Sequence, residues 1–577
     1  MSLDGLTLNS IISELQSLIE ARIEKIYQPA ADELLFMLHT KYGRQRLVIS
    51  ASASDARIHI TSHPGTNPDK APNFCMLLRK YLGSGKIQYI RQDGLDRVVR
   101  MGISSKDELG ILRTFELVTE IMGRYSNIIL INEEGMVIDS IKHVSLDTSS
   151  KRQVLPGIRY SSPPTEKADP LDSDEEELGK LLAGARLPKD LYRILDGLSP
   201  QTSEELTYRI FGAESADIDE NNCVMFAAAL RKELLQMLSH REPCIQSDQD
   251  GKPVFYSIVP YHQYPEKTRS YLTSSNSMLD EFHYRRTALE EFRKEKSALD
   301  KILRKNTAKL EKRISIYMES MNGEDRIKDN LLMGELLSAN LYRIKRGASY
   351  ADVTDYYTGE EKRIPLDPAV SPSQNVNRFF RKAQKLKNAM KISREYYEKE
   401  KPELDYLYSL SYDLDRSEDM EDLSEIRNEL IRYGYMETRK KEKQKNIDPL
   451  SRPLVFRTTD GMRIMAGRNS RQNDSLTMRV AEDEDVWFHV KSSQGSHVIL
   501  FTGGNAPSER DIFEAAVIAA TNSGSKNSSK VEIDYTERKN VWKANGAKPG
   551  MVLYRKYHTI IVDPDTALCD RLRYTEI

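Results

Sequence analysis

The sequence has few of the features that stabilise secreted or membrane proteins. Its 577 residues include only four cysteines, which lie far apart and form no C-x-x-C pair. This spacing excludes a disulfide scaffold and argues against a zinc ribbon. No apolar run approaches the roughly 18 residues of a membrane-spanning helix, and the N-terminus lacks the basic and apolar regions of a secretory signal. We therefore expect a cytoplasmic protein with no membrane contact.

A charge excess and the common catalytic motifs are also missing. The chain has 85 basic and 87 acidic residues, which excludes a uniformly basic nucleic-acid-binding protein but not charged patches. No P-loop, H-E-x-x-H, G-x-S-x-G or G-x-G-x-x-G motif is present. We predict no cofactor. At about 150 residues per domain, the length suggests roughly four domains.

The first segment, residues 1–170, is typical of an α+β domain. A short amphipathic helix over Leu8–Glu20 and a second helix over Asn73–Leu82 accompany short β-rich stretches separated by Gly and Asn turns. Such strands predict a sandwich or barrel with helices at one side. The predicted strands are Arg22–Pro29, Glu33–Thr40, Arg46–Ser52, Arg57–Thr61, Lys86–Gln92, Arg97–Ile103, Thr114–Ile121, Asn127–Ile131 and Met136–Val144.

Residues 178–272 follow an acidic linker and are predicted to be mainly helical. Gly197-Leu198-Ser199-Pro200 separates two helical stretches, with the proline placed to begin the second helix. This pattern fits a helix-hairpin-helix, whose free N–H groups can meet a phosphate. The segment alone favours the alternative, a plain pair of antiparallel helices. A small strand pair is expected around Asp250–Val254.

Residues 276–445 carry coiled-coil periodicity. One seam is Phe282, Leu289, Phe292, Leu299, Leu303, Leu310, Ile314 and Tyr317; the other is Phe379, Ala383, Leu386, Met390, Tyr397, Leu404, Leu407 and Leu414. We predict an antiparallel hairpin with a small middle domain at about residues 323–372. Pro402 should kink or interrupt the second helix.

Basic residues are concentrated on both predicted helices. Arg285–Arg313 has eleven basic and five acidic residues, and Arg378–Arg394 has seven basic and no acidic ones. Such stretches can follow a phosphate backbone or can simply be a solvated flank. We select Arg381, Lys382 and Lys385 as candidate RNA contacts.

The last segment, residues 450–577, is predicted to be an α/β module. Its predicted strands are Leu454–Thr459, Ser475–Ala481, Val486–Lys491, His497–Phe501, Lys530–Thr536 and Thr559–Pro564. A helix over Glu509–Asn522 should begin after Ser508, a favourable N-cap.

Aromatic and polar residues cluster in this module at Asp485–Lys491 and Gly495–His497. Because alternate residues of a strand share a face, we assign Trp487, His489 and Lys491 to an open face and Phe488 to the core. Stacking on bases would suit that face, with Ser496 and His497 beside it; buried structural aromatics are the alternative. His489 and His497 lack further ligands, so we predict no metal.

Asp96 and Arg97 follow Gly94 at a predicted turn into a strand. They can form a local ion pair, or they can present a guanidinium to a phosphate or base. Their positions do not decide between the two.

Several segments together resemble the NFACT family, whose bacterial members carry the older name fibronectin-binding proteins. They are spread over nearly the whole chain, and one departure is Gln494, where the family usually has proline. The matching segments are Asp4-Gly5, Arg22–Pro29, Phe74–Leu82, Gly94–Arg97, Glu120–Leu130, Leu155–Tyr160, Gly334–Ile344, Ile364–Asn375, Gly467–Asp474, Asp485–Lys491, Gly495–Leu500, Val531–Thr536 and Gly546–Val552.

The resemblance implies a multidomain α+β protein. It would comprise an α/β N-terminal domain similar to formamidopyrimidine-DNA glycosylases, a helix-hairpin-helix domain, a coiled-coil hairpin with a middle domain, and a C-terminal α/β NFACT-R domain. It also implies ribosome-associated quality control. The protein would bind a large ribosomal subunit that carries peptidyl-tRNA, recruit alanyl-tRNA, and support mRNA-free alanine tailing that marks the stalled chain for proteolysis.

The family's tRNA-binding residues map onto Asp4, Asp96, Arg97, Glu120, Met122, Gly123 and Arg124. The resemblance also implies a small RNA-binding partner of the RqcP type. We expect no catalytic residue, since the ribosome would form the peptide bond. The alternatives are a surface adhesin that binds fibronectin and a DNA glycosylase. Ser2, where such glycosylases have a nucleophilic proline, argues against the latter.

Overall fold

A computed structural model describes residues 3–106, 110–147, 149, 152–437 and 452–574. The chain divides into two compact units, Met1–Glu290 and Glu291–Ile577. Ser2, on which the argument against a glycosylase rests, lies outside the described residues.

The N-terminal segment contains one nine-stranded sheet in which all neighbours are antiparallel, in the order β4-β3-β2-β1-β5-β6-β7-β8-β9. β1 and β5 pair only where Arg22 lies opposite Lys86, so two meanders meet at a narrow point. The predicted strands are confirmed, and apolar residues of both meanders share one core; their arrangement as a sandwich or barrel stays a prediction. They are β1 (Arg22–Ala30), β2 (Glu33–Thr40), β3 (Gly43–Ser50), β4 (Arg57–Ile60), β5 (Lys86–Gln92), β6 (Val98–Lys106), β7 (Leu112–Glu120), β8 (Asn127–Ile131) and β9 (Val137–Ser140).

Two helices of this segment pack in the core of the sheet. α1 (Gly5–Leu15) begins three residues earlier than the sequence predicts, because Asp4 accepts a hydrogen bond from the Thr7 N–H and caps the helix. α2 (Asn73–Leu82) has the predicted bounds. Ile11 of α1 and Leu78 of α2 are completely buried in the core beneath the sheet.

The following segment is mainly helical and has a core of its own. The two strands expected near Asp250 are confirmed, and a third joins them. The elements are α3 (Glu175–Leu182), β10 (Arg186–Leu187), α4 (Leu191–Ile194), α5 (Pro200–Phe211), β11 (Ala216–Asp217), α6 (Cys223–Ser239), β12 (Cys244–Ser247), β13 (Pro253–Ser257) and β14 (Arg269–Tyr271). Ser199 caps α5 and Pro200 takes its first position, as predicted.

The predicted helical hairpin is formed by α7 (Ser275–Met321) and α9 (Pro372–Arg416). The second unit's hairpin core includes Leu299, Leu303, Leu310, Ile314, Leu404, Leu407 and Leu414, all of which belong to the predicted seams. Phe282 is an exception, since it packs in the N-terminal core. Pro402 does not interrupt α9, which continues to Arg416.

Between the long helices lies a small module of α8 (Glu324–Ala339), β15 (Tyr350–Thr354) and β16 (Glu361–Pro365). It packs on the start of α9 around Leu336, Ile364 and Val376. After α9, the helix α10 (Met420–Arg432) folds onto the base of the hairpin, where Leu423 and Leu430 are buried.

The C-terminal module is a six-stranded sheet of order β17-β18-β20-β19-β21-β24. α12 packs on one of its faces and begins after Ser508 within a capping box, as predicted. The elements are β17 (Leu454–Arg457), β18 (Arg463–Ala466), α11 (Ser470–Ser475), β19 (Val486–Val490), β20 (Val498–Phe501), α12 (Glu509–Thr521), β21 (Val531–Glu537), β22 (Val541–Trp542), β23 (Leu553–Tyr554), β24 (His558–Val562) and α13 (Thr566–Leu572).

One predicted strand of this module is wrong. Ser475–Ala481 is helical, because α11 starts at an Asn469 cap and continues as a π-helical turn over Leu476–Val480. Among the described helices, none is long and apolar enough to cross a membrane.

Candidate nucleic-acid interface

Two loops of the N-terminal sheet meet at one end of β6 and β7. Val98 of β6 lies opposite Glu120 of β7, and just beyond this pair the Ile121 N–H donates to the Arg97 carbonyl (2.9 Å). The turn before β6 therefore lies beside the loop 121–126 after β7. The structure brings together the two sets of candidate residues that the family resemblance indicates.

The turn holds Arg97 with a free guanidinium. Asp96 accepts a hydrogen bond from the backbone N–H of Arg97 (2.6 Å), and no ion pair joins the two side chains. Both residues are half-buried. Within the described chain, the Arg97 guanidinium has no hydrogen bond or ion pair. A guanidinium that is positioned but unpaired can bind a phosphate or a base edge.

The surroundings of this turn carry charges of both signs. Burial raises the pKa of the Asp96 carboxyl, and burial also lowers the pKa of Lys167, an effect that Asp196 opposes and Arg97 reinforces. Lys167 donates to the Tyr192 carbonyl (2.7 Å) and so is held in place. Arg97 is thus the available cation of this cluster.

The neighbouring loop contributes an exposed cation and an exposed ring. Arg124 donates to the Tyr125 hydroxyl (2.6 Å) and lies over the Tyr125 ring, at 4.7 Å from its centre. Gly123 adopts a positive φ of 57° that aids the tight turn. Tyr125 is 66% exposed and was not among the predicted residues, although an aromatic residue that follows Gly-Arg in a loop could have indicated it. Exposed rings beside arginine suit base stacking.

Two predicted contact residues are structural instead. Glu120 is completely buried and binds Arg152 and the Tyr160 hydroxyl, so its prediction as a direct tRNA contact is wrong. Met122 is partly buried against the core of β6–β9. A buried carboxylate needs such partners to offset its desolvation.

Asp4 is also wrong as a direct contact, since it is 8% exposed. One carboxylate oxygen accepts from the Thr7 N–H (2.9 Å) and the other from the Thr202 hydroxyl (2.6 Å). Asp4 thereby ties α1 to the first turn of α5. The N-terminus of α5, which the sequence offered as a phosphate site, is occupied by Ser199 and Asp4.

The Asp4 connection supports the Arg97 turn. A Cβ on Gly5 would lie 1.8 Å from the Leu95 carbonyl oxygen, and the Leu6 N–H donates to Gly197 (3.1 Å). Gln92 donates to the carbonyls of both Gly5 (3.0 Å) and Asp96 (2.9 Å). Asp4-Gly5 therefore positions the turn from behind.

The predicted hairpin cations are accessible. Arg381, Lys382 and Lys385 lie exposed on α9, and none forms an ion pair or hydrogen bond within the described ranges. By contrast, Arg378 on the same helix pairs with Asp367 (2.8 Å). The three residues are free to meet phosphates, and their RNA contact stays a prediction.

The predicted open face of β19 is covered. Phe488 is buried toward α12, as predicted, but Trp487 is equally buried in a second core with Leu476 and Ile499. The π-helical turn that replaces the predicted strand covers the Trp487 face. Trp487 is therefore not an accessible RNA contact.

The two histidines and Ser496 belong to the same interior. His497 is buried and hydrogen-bonds the Thr477 hydroxyl (2.8 Å), and Ser496 donates to the Gly467 carbonyl (2.6 Å). Their predictions as RNA contacts are wrong. His489 is half-buried and stacks on Trp487 at 5.7 Å, and burial lowers its pKa to about 4, so it is neutral near pH 7.

Lys491 is the exposed member of this group, and it pairs with Glu532 (3.1 Å). Nowhere in the described parts of the chain do three or more His, Cys, Asp or Glu side chains form a group suited to a metal ion. Of the C-terminal candidates, His489 and Lys491 alone keep access to solvent.

Two of the family-matching segments dock the C-terminal module onto the base of the hairpin. Ser470 donates through its N–H (3.0 Å) and hydroxyl (2.8 Å) to Asp413 of α9. Arg416 donates to the Asn522 side chain (2.6 Å). The Lys548 ammonium lies 4.7–5.1 Å from the centres of three rings of the hairpin base, those of Tyr406, Tyr433 and Tyr435.

Comparison with known proteins identifies the family to which the chain belongs. The profile of the NFACT N-terminal and middle domains matches residues 4–448, and that of the NFACT protein RNA binding domain matches residues 452–556. The "Rqc2 homolog RqcH" of Bacillus subtilis is 35% identical, over 99% of this chain and 100% of its own. That of Streptococcus suis is 34% identical, over 98% of each chain.

A solved structure is also similar in sequence. The N-terminal part of the fibronectin/fibrinogen-binding protein from Streptococcus suis is 32% identical, covering 49% of this chain and 99% of that one, with a TM-score of 0.42. The sheet-rich N-terminal segment, long helical hairpin and C-terminal sheet define a multidomain α+β protein with an RNA-binding module. The profiles and the full-length relatives show that the chain belongs to the NFACT family.

Proposed function

We propose that this chain is a ribosome-associated quality control factor. It binds a large ribosomal subunit obstructed by peptidyl-tRNA, recruits alanyl-tRNA, and directs mRNA-free addition of alanine to the stalled nascent chain. The RNA-binding profile and the full-length relatives named as Rqc2 homologs support the ribosomal function. The preference for alanyl-tRNA, a partner of the RqcP type and a cytoplasmic location follow from family resemblance.

The unpaired Arg97 carries the assignment of the tRNA contact. Its turn is supported from behind by Asp4-Gly5 and lies beside Arg124 and Tyr125. A guanidinium with an adjacent exposed aromatic can bind a phosphate and stack on a base. We assign this end of the sheet to tRNA.

No catalytic group is assigned to the chain. In this proposal the ribosomal RNA forms the peptide bond, and the protein contributes orientation, which makes a bimolecular encounter effectively unimolecular. A nicking assay on damaged DNA tests the glycosylase alternative. The names fibronectin/fibrinogen-binding protein and fibrinogen binding protein belong to two solved neighbours, and the proposed function does not include that binding.

The test is the double variant Asp96→Ala with Arg97→Ala. Losing a charge-assisted contact costs about 1.5–3 kcal/mol, so co-purified tRNA should fall about tenfold or more. Co-sedimentation with the large subunit and the melting curve should stay unchanged. Arg91→Ala is the matched control, because Arg91 is 62% exposed on the same sheet. A folded double variant with the tRNA yield of wild type would refute the assignment.

The hairpin cations provide a separate test of subunit binding. Reversing Arg381, Lys382 and Lys385 to Glu should weaken binding to the large subunit and flatten its salt dependence, because fewer counterions are released. Reversing three exposed lysines of the N-terminal unit (Lys180, Lys232 and Lys267) is the charge-matched control. Equal salt slopes in both variants would show that the α9 residues are only a solvated flank.

A further inference from the structure

Five lysines of α7 form a stripe on the helix surface. At 3.6 residues per turn they fall within about 80° of one another, and at 1.5 Å per residue they span about 27 Å. The stripe lies opposite the buried seam that includes Leu299 and Leu303. All five are exposed: Lys294, Lys301, Lys305, Lys309 and Lys312.

These lysines differ from the other cations of the same helix. Arg304 pairs with Asp300 one turn away (2.8 Å), and Lys296 donates to the Asp415 carbonyl (2.9 Å). The five stripe lysines have no hydrogen bond or ion pair with any residue that the structure describes. A helix stabilised by its own surface pairs would place Glu four residues before Lys. Only Lys294 has such a residue, Glu290, which pairs with Arg286 instead (3.2 Å). Elsewhere the stripe has small residues between its cations, among them Ala298 and Ala308.

We propose that this stripe binds the phosphate backbone of double-helical RNA without reading its sequence. Five cations over about 27 Å give one positive charge about every 7 Å, a linear array that complements a linear polyanion better than a folded acidic protein. Lysine is a point charge on a flexible stem and lacks the planar fork of arginine that selects base edges. Phosphate contacts position a protein without specifying sequence.

The inference rests on the proposed function for its choice of RNA, and it adds a contact that is separate from the α9 cations. The small residues along the stripe leave room for a rigid duplex to approach the helix. The lysine stems can extend toward either strand. The surface would therefore contribute affinity and a steep salt dependence, while the N-terminal sheet would select the tRNA.

The experiment measures binding of the full chain to a labelled 24-base-pair RNA duplex between 50 and 200 mM salt. Lys301, Lys305 and Lys312 are changed to Gln, which preserves helix propensity. Each lost contact should lower the slope of log affinity against log salt concentration by about 0.9. Between 50 and 200 mM salt, the fall in affinity should therefore be roughly 40-fold smaller for the variant than for wild type. The control changes Lys180, Lys232 and Lys267 to Gln. Arg304→Gln is a second control on α7, since this residue is already paired.

Large-subunit co-sedimentation of wild type is measured in parallel. If wild type does not join the subunit, the proposed function fails; if it joins while the stripe variant keeps the wild-type duplex slope, the stripe inference alone fails. Circular dichroism confirms that α7 is intact. Competition by polyglutamate as effective, charge for charge, as duplex RNA would also overturn the assignment to RNA. A reduced slope in the stripe variant alone supports it.

Discussion

The Lys548 contact predicts how firmly the C-terminal module is held to the hairpin. The Lys548 side chain is 14% exposed, donates to the Tyr435 hydroxyl (2.6 Å) and lies 3.3 Å from Glu403. Tyr406, Tyr433 and Tyr435 surround its ammonium on the hairpin side. Lys548→Met keeps most of the stem length and removes the charge, so it tests the electrostatic part of this contact.

The docking free energy that Lys548→Met should remove is the sum of three interactions. A charged hydrogen bond contributes about 1.5–3 kcal/mol, and a partly desolvated cation–π contact adds about 1–2 kcal/mol. The pair with Glu403 adds little, because that carboxylate is 46% exposed. We discount the sum for overlap and expect Lys548→Met to weaken docking by about 2–4 kcal/mol.

Hydrogen exchange on the full chain measures this loss locally. Amides near Tyr433 and in the loop around Lys548 should exchange faster, while those of the N-terminal sheet should be unchanged. The control Lys539→Met removes a half-exposed lysine that pairs with half-exposed Glu537 (2.7 Å) and should cost under about 1 kcal/mol. A Tyr433→Leu and Lys548→Met cycle should be non-additive. Equal protection in the Lys548 and Lys539 variants would refute the reasoning.

Two further predictions concern buried groups of the same unit. Phe488→Ala and Trp487→Ala should each lower the free energy of unfolding, measured by calorimetry, by about 3–5 kcal/mol, because both rings are completely buried. If the Trp487 face were open, Trp487→Ala would leave the melting temperature unchanged. His489→Ala should change the melting temperature only slightly. Burial raises the pKa of Asp413 to about 7 from an ordinary value of 3.8. Its folded form therefore retains a proton that the unfolded form has lost, and stability falls as the pH rises through this window, by up to about 4 kcal/mol. Asp413→Asn, which can still accept a hydrogen bond from Ser470, should make the free energy of unfolding of the second unit less dependent on pH and higher at pH 8. An unchanged pH profile would contradict the inference that Asp413 is protonated when it is buried.

The long-range periodicities of the sequence were sufficient to predict the hairpin. Leu299 and Leu407 fall on separate seams whose spacing repeats over several helical turns, and a repeating apolar stripe has to be buried against a partner. The strands of the N-terminal sheet were also predictable, because Gly and Asn turns separate them. The expected interruption at Pro402 is wrong, since α9 continues through it to Arg416 and Leu404 and Leu407 just beyond it are buried in the hairpin core.

The error over Ser475–Ala481 shows why the C-terminal face could not be predicted. Its alternation of apolar and polar residues suits a strand, but an Asn469 cap starts a helix just upstream. That helix covers Trp487, so the ring expected to meet RNA became part of a core. Alternation within a strand reveals which residues share a face, but not what lies against that face.

Which charged side chains remain available was likewise decided by the tertiary structure. The sequence by itself established the family resemblance, the hairpin and the position of Asp96 and Arg97 at a turn. It did not distinguish Arg97, which is unpaired, from Glu120, which is buried with Arg152 and Tyr160. The partners of a charged group come from strands and loops distant in sequence, and the cost of burying an unpaired charge forces those partners into place. Only the folded chain therefore shows which charges are already satisfied and which remain free to bind RNA.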